Sequence, residues 1–199
     1  MKFILILLFT TCLFGQSITN KHRAVIARMN VAVGGPTVVK KDSLVQATGT
    51  TLRIGRFGND QYLETKLLTT SAYTITRVDL RMVVLAGTIS STDSLQAFIY
   101  SDLGDSANVQ IGTASDWIAE STVGATDTWI TFPNMNVRIE DATVYHVVIN
   151  RNTTDGTNYT GWNRGTYNVA RYMRLSSSGA VTTWGLGTNG WGVFRIWGY

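Results

Sequence analysis

One stretch of this chain alternates polar and apolar side chains with a period of two, and no other pattern in the sequence limits the fold as strongly. Between Ser71 and Leu85 it reads SAYTITRVDLRMVVL. A period of two puts successive side chains on opposite sides of an extended backbone, so the segment predicts a β-strand with one buried and one wetter face. The buried face is predicted to hold Val78, Leu80, Met82 and Val84, and the wetter face Arg77, Asp79, Arg81 and Val83.

The same pattern recurs in shorter segments that are separated by turn-forming residues. Pieces such as RNTTDGTN and GLGTNG supply the Gly, Asn, Asp and Ser that tight turns need. No sustained alternation of strands with helices is present, so the predicted fold is an all-β, antiparallel two-sheet β-sandwich of jelly-roll type. Further strands are predicted over Leu95–Asp102, Thr128–Phe132, Thr143–Asn150, Arg171–Leu175 and Val193–Tyr199.

The chain has 199 residues, which is enough for one domain with a substantial core. Residues 1–16 are predicted to be a signal peptide, because Lys2 precedes a short apolar run that ends in small and polar residues. Residues 17–59 are predicted to form an N-terminal extension and an edge strand, although AVIARMNVAV within them also fits a short helix. Residues 60–199 are predicted to form the sandwich, with 17–199 as one folded unit.

The signal predicts a secreted, extracellular protein associated with a cell surface. Its apolar run is shorter than the roughly 20 residues that a membrane span needs, and no later stretch is long enough. Anchoring as a lipoprotein through Cys12 is the alternative, although Phe9, Thr10 and Thr11 fit the usual lipobox poorly. Cys12 is the only cysteine, so the mature chain is predicted to have no disulfide and no thiolate metal site.

The net charge of +4 comes from scattered Lys and Arg residues with no dense basic run. This spacing indicates a solvated surface rather than a track for nucleic acid. Arginine combined with aromatics also suits single-stranded nucleic acid. Because the chain is predicted to be exported and its basic residues are few, no nucleic-acid partner is predicted.

Few residues offer catalytic chemistry. The histidines are His22 and His146, and neither belongs to a His- or Cys-rich cluster of the kind that binds zinc. The chain has no G-x-S-x-G elbow, P-loop or G-x-G-x-x-G motif. Its 13 acids fall mostly in turns, with no evident pair for glycoside hydrolysis. A non-enzymatic protein without a cofactor is therefore predicted.

Asp102 and Asp105 flank Gly104 in a predicted turn. Their preferred interpretation is an Asx turn, in which the carboxylate bonds to nearby backbone. The alternative is a metal site, because calcium favours carboxylate and carbonyl oxygens that a loop holds together. A structural calcium at these two residues therefore stays open.

The part of the chain after Gly156 contains no acid and is dense in aromatics. Large rings are costly to leave in water, so an exposed cluster of them usually marks recognition. The alternative is that these rings cap the core of the sandwich, and core packing is predicted for Trp117 and Trp129. The predicted ligand-binding residues, in loop-like segments, are Trp162, Tyr167, Trp184 and Trp191 for stacking, with Asn163 and Arg164 for polar contacts.

Several segments together resemble one loose family over roughly residues 60–199. These segments are YTITRVDL, LQAFIYSDLGDS, TWITF, VRIEDATVYHVVIN and VFRIWGY. Their order is similar to that of the jelly-roll accessory modules of secreted bacterial and phage proteins, which are related in shape to carbohydrate-binding modules and choice-of-anchor domains. The resemblance implies a two-sheet antiparallel sandwich with a binding or adhesive role, and it implies no catalytic residues.

Two functions are consistent with these expectations. The leading one is a secreted binding module that recognises a carbohydrate or another cell-surface polymer through loop aromatics. The alternative is a structural or adhesive subunit that self-assembles into a homo-oligomer, as in a surface layer, filament or phage appendage. A hydrolase, the third hypothesis, needs two carboxylates that face one cleft.

Overall fold

The computed structural model describes residues 35–45, 47–54, 62–153, 157–165, 172–175 and 188–199. The chain divides into two units, of which the first is Met1–Thr37. Within that unit only residues 35–37 are described, and they are exposed. The second unit, Val38–Tyr199, contains all the described strands. The predicted signal peptide over residues 1–16 and the segment AVIARMNVAV lie outside the described residues.

The second unit is built from two antiparallel sheets, and the described residues form no α-helix. One 3-10 turn is present, at Glu120–Thr122. Sheet A contains β1 (Val39–Leu44), β2 (Ala47–Ile54), β4 (Tyr73–Ala86), β8 (Thr128–Phe132), β9 (Val137–Ile139), β11 (Tyr159–Gly165) and β14 (Phe194–Gly198). Sheet B contains β3 (Tyr62–Leu68), β5 (Ser94–Asp102), β6 (Ala107–Ile111), β7 (Ile118–Ala119), β10 (Val144–Arg151), β12 (Tyr172–Leu175) and β13 (Thr188–Asn189).

Consecutive strands repeatedly change sheet, as they do in Greek-key and jelly-roll sandwiches. The path through sheet A is β1-β14-β4-β11-β2, with β8 and β9 also paired to β4. Sheet B runs β13-β12-β3-β10-β5-β6, with β7 also paired to β5. The predicted all-β, two-sheet antiparallel class is therefore confirmed.

Strand β4 is the centre of sheet A, because it pairs with β14, β11, β8 and β9. Its pairing with β14 shifts where Arg77 and Ile75 face the adjacent residues Trp197 and Gly198, which leaves Thr76 as one extra residue. An extra residue in a strand reverses the side to which later side chains point. Beyond this bulge Val78, Leu80 and Met82 are fully buried, as the alternation predicts, while Arg77 and Arg81 stay partly exposed.

The inner faces of the two sheets meet in one apolar core. The period-two pattern predicted for Leu95–Asp102 and Thr143–Asn150 is confirmed, because alternate apolar residues of these segments are buried in the core. In sheet B these residues are Leu95, Ala97, Ile99, Tyr145, Val147 and Ile149. In sheet A, Leu80, Ile130, Phe132, Phe194 and Ile196 oppose them. Within the described residues, no helix is long and apolar enough to cross a membrane.

Candidate functional site

Trp162 lies in the core rather than in a loop. It is fully buried in β11, and its indole N–H donates to the carbonyl oxygen of Val193 at 2.9 Å. The segment NYTGWNRG continues as a strand because the glycine at position 161 allows close packing: a Cβ there would lie 2.4 Å from Leu85 Cδ1. Gly192 packs against the indole of Trp162 in the same way, because a Cβ at position 192 would lie 2.4 Å from Trp162 Cζ2. In this structure Trp162 therefore has no surface on which a ligand could stack.

The other predicted binding residues lie beside β11 or outside the described part of the chain. Asn163 is buried and its carbonyl accepts a hydrogen bond from Val193 N, while Arg164 and Trp191 are half-buried. The Trp191 carbonyl accepts from Gly165 N at 2.8 Å, which brings Trp191 next to β11. The structure thus brings Trp162, Asn163, Arg164 and Trp191 together, and Tyr167 and Trp184 lie outside the described residues.

Asp102 and Asp105 bond to different side chains. Asp102 Oδ1 lies 2.8 Å from His146 Nε2, and Asp105 pairs with the ammonium of Lys66. Both Gly104 and Asp105 have a positive φ, 59° and 67°, which is the backbone geometry of a tight turn. Among the described residues, no three His, Cys, Asp or Glu side chains are grouped to hold a metal ion.

His146 is fully buried between two carboxylates on the side of sheet B that faces away from the core. Besides the contact with Asp102, its Nδ1 lies 3.2 Å from Glu64 Oε2. The same Glu64 oxygen accepts a hydrogen bond from Ala107 N at 2.7 Å. Asp102 also lines an open cleft of about 590 Å³, whose other walls include Ser101, Ile111 and Tyr145. The contacts of His146 with Glu64 and Asp102 link β10 to its neighbours β3 and β5, so this cluster helps to hold sheet B together.

A second buried ionic cluster surrounds Arg151 at one end of the sandwich. Arg151 Nε donates to Glu120 Oε2 at 2.6 Å, and its Nη2 donates to Asp93 Oδ2 at 2.9 Å. The Thr160 hydroxyl, on β11, donates to Glu120 Oε1 at 2.6 Å. Because Arg151 belongs to sheet B and Thr160 to sheet A, this cluster links the two sheets.

The outer face of sheet A carries a third polar arrangement, which combines arginines with tryptophans. The Arg77 guanidinium lies 4.1 Å from the ring centre of Trp197, and that of Arg195 lies 3.8 Å from the ring centre of Trp129. Both are cation–π distances. We define the Arg–Trp face by its residues on β4, β8 and β14: Arg77, Asp79, Arg81, Trp129, Thr131, Arg195 and Trp197.

Asp79 holds this arrangement in place from beneath. Its Oδ2 accepts a hydrogen bond from the indole N–H of Trp197 at 2.6 Å, and its Oδ1 accepts from the Thr131 hydroxyl at 3.0 Å. Arg77 Nε is 3.3 Å from the same Oδ1. Asp79 is only 5% exposed, so its charge is used within the face and fixes side chains from three strands.

Trp117 and Trp129 differ from their prediction as core residues. Trp117 is 47% exposed, because the next residue, Ile118, turns inward and packs against the core. Trp129 is half-buried on the outer face, since Ile130 takes the inward position next to it in β8. Trp117, the most accessible of the described indoles, is therefore a residue predicted to lie inside.

Comparisons with known proteins give no relative from which a function could be transferred. No family model matches the sequence, and a search of curated proteins found no match. Among solved structures, a family two carbohydrate esterase from Cellvibrio japonicus is similar at 8% identity, with a TM-score of 0.27. The similarity covers 79% of this chain but only 36% of that chain, and a TM-score of this size does not establish a shared fold.

Proposed function

We propose that this protein is a secreted, non-enzymatic binding protein that recognises a carbohydrate or another surface polymer. The observation that carries the proposal is the Arg–Trp face, where Trp129 and Trp197 lie partly exposed on the outside of a sheet. Sugars present flat C–H faces that pack on aromatic rings, and their hydroxyl groups pair with charged and amide side chains. Both kinds of contact are available on this face.

The spacing of the two rings fits an extended ligand. Trp197 is opposite Arg77 and Trp129 is opposite Arg81, and these two positions of β4 are four residues apart. At the usual rise of a strand, the rings are anchored roughly 13 Å apart along β4. Both side chains lie on strands, and Trp197 is held by its hydrogen bond to Asp79 while Arg195 stacks on Trp129. Such positioning keeps the spacing of the rings, which favours a polymer over a small compact molecule.

The use of the buried acids supports a non-enzymatic role. Asp93 and Glu120 both bond to the buried Arg151, and Glu64 is fully buried beside His146. A glycosidase needs two carboxylates that reach the same bond of its substrate. These acids instead satisfy buried partners. Tyr167, Trp184 and Trp191 remain predicted ligand-binding residues.

Binding to a panel of immobilised polysaccharides tests the proposal. We expect the protein to be retained on at least one polysaccharide, and Trp129→Ala with Trp197→Ala to weaken the affinity by about tenfold or more, because central aromatic contacts dominate binding energy. Trp117→Ala is the matched control, since it removes an exposed indole outside the face. The Trp184→Ala/Trp191→Ala variant tests the loops. If no polysaccharide retains the protein, the proposal is wrong.

A structural subunit of an extracellular assembly is the second candidate, and exposed apolar residues at strand edges favour it. Val39 on β1 is 44% exposed, with Val38 and Val45 flanking that strand at 46% and 48%. At β6, Val109 is 60% exposed. Uncovered strand edges are where copies of a β-protein join. An assembly would run on a sizing column well above the 21.9 kDa of one chain, whereas a binding module would run as a monomer.

A further inference from the structure

The outer face of sheet A is rich in cations. Six Lys and Arg side chains point to the outside of this sheet. Each of them either lies opposite another outward residue on the neighbouring strand or alternates with a buried residue on its own strand. They come from β1, β2, β4, β9 and β14, so the positive charge extends across the sheet. The cations are Lys40, Arg53, Arg77, Arg81, Arg138 and Arg195.

The acids that contact these cations do not balance them. Asp127 pairs with Arg81 at 3.1 Å, and Glu140 pairs with Arg138 at 3.4 Å near the end of the sheet. Asp79, the third acid, is buried and engaged by Trp197 and Thr131, as described above. Among the residues that the structure describes, this face therefore keeps an excess of positive charge.

Arg195 is the cation best placed to receive an anion. It forms no ion pair or hydrogen bond with an acid in the described part of the chain, and its guanidinium lies over the Trp129 ring. A guanidinium presents its N–H donors in a planar fork that matches a carboxylate or a sulfate. Stacking on Trp129 limits the conformations of the Arg195 side chain before an anion arrives, so less conformational entropy is lost on binding.

We infer that the Arg–Trp face binds an anionic polysaccharide, one that carries carboxylate or sulfate groups on its sugar rings. This inference rests on the proposed function and adds the class of ligand to it. The indoles contact the sugar rings, while Arg195 and its neighbouring cations contact the acidic groups. Charge alone would also attract an anionic membrane, which lacks the repeating flat faces that two separated indoles suit. Single-stranded nucleic acid has stacking bases as well as charge, but the predicted export of the chain favours a polysaccharide, and the test includes both alternatives.

The test uses pairs of polymers that share a sugar backbone and differ in whether they carry acidic groups. Polygalacturonate is compared with its highly methyl-esterified form, and dextran sulfate with dextran, by affinity electrophoresis and by titration at low and physiological salt. We expect each acidic form to bind at least about tenfold more tightly than its neutral partner. We also expect the affinity to fall as salt rises, because exposed charges are screened.

Two variants assign the binding to this face. Arg195→Gln removes the unpaired cation and should weaken binding to the acidic polymer by about tenfold, the size of a lost charge-assisted hydrogen bond. Lys66→Gln is the control, because it removes the same charge from the outer face of sheet B, where Lys66 pairs with Asp105. Circular dichroism confirms that both variants are folded. Unchanged affinity in Arg195→Gln would overturn the inference.

The remaining outcomes separate this inference from the proposed function. Equal binding of the neutral and acidic forms overturns the anionic class but leaves carbohydrate binding intact. Failure of all four polymers to bind overturns the inference, and failure of the wider panel as well overturns the proposed function. Oligo-dT or phosphatidylserine vesicles that bind as tightly as polygalacturonate would also overturn the inference, because the face would then select charge without sugar.

Discussion

Trp129 and Trp162 lie in different strands of sheet A and end in opposite environments. Trp162 is opposite Met82, which is buried, so its ring points into the core. Trp129 is opposite Arg81 and points outward with it. Position in the pleat, rather than the size of the ring, therefore decides which indole is available to a partner.

Tyr73 is buried at the start of β4, and its hydroxyl has no hydrogen-bond partner within the described residues. Burial, with a smaller effect of Asp42, raises the pKa of Tyr73 far above its ordinary value. The unfolded chain ionises this group near pH 10 while the folded chain keeps its proton. The stabilising contribution is therefore complete below pH 10 and is lost as the pH rises above it.

Tyr73→Phe should make stability less sensitive to alkali. We expect urea unfolding between pH 8 and 11 to show a shallower fall in the free energy of unfolding for the variant, with little change at pH 8. Burial also raises the pKa of Tyr100. Tyr100→Phe should therefore shift the curve in the same direction. A variant curve that runs parallel to the wild-type curve would contradict this assignment.

Among the strands, β4 has a bulge that sets the chemistry of its outer face. If Thr76 occupied an ordinary place in the strand instead of a bulge, the alternation begun by the buried Tyr73 and Ile75 would carry Arg77 and Asp79 into the core. A shift of one residue moves a whole set of side chains to the other face of a sheet. The bulge therefore lets one strand serve the core at both ends and still present arginines to solvent.

Deleting Thr76 should leave the fold intact but less stable than Thr76→Ala does. Ile75 and Val78 would still point inward with Arg77 outward between them, while the hydrogen bond from Met135 N to the Thr76 carbonyl would be lost. Thr76→Ala is the matched control. It keeps the bulge and removes only the hydroxyl, which donates to the Trp197 carbonyl at 3.3 Å, so it should cost about 1 kcal/mol or less. Circular dichroism and urea unfolding distinguish the two. A deletion variant that does not fold would show that the bulge itself is needed, and not only the alternation on either side of it.

Across the sandwich as a whole, the Arg151 cluster provides an ionic link between the sheets. Arg151→Met should destabilise the fold by about 3–5 kcal/mol, because Asp93 and Glu120 would stay buried without their cation. Arg138→Met is the surface control. Its pair with Glu140 is more than half exposed on both sides, so the loss should be no more than about 1 kcal/mol. Urea unfolding measures both, and similar losses would contradict the role of the cluster.

Local alternation was enough to predict the fold class, the main strands and the inward positions of β4, β5 and β10. It could also have placed Trp129 outside, since Ile130 and Phe132 occupy the inward positions of the same short strand. The strand at Trp162 was missed because Gly161 suggests a loop, whereas it allows a close contact with Leu85.

The Arg–Trp face and both buried ionic clusters could not be predicted in this way. They depend on side chains that are far apart in the sequence: Arg195 reaches Trp129, and Arg151 reaches Asp93. Such contacts exist only once the order of strands in the sheets is known. The sequence contains the residue types but no local signal for which of them meet.

Because the cations are concentrated on the outer face of sheet A, the protein has a preferred orientation when it approaches a negatively charged surface. Near a negatively charged wall or gel, the electric field would turn sheet A toward the surface before any specific contact formed. The opposite sheet, with the cleft beside Asp102, would then point into the surrounding fluid. The uneven charge that favours an acidic polymer on sheet A would thus leave the outer face of sheet B free to contact a second molecule.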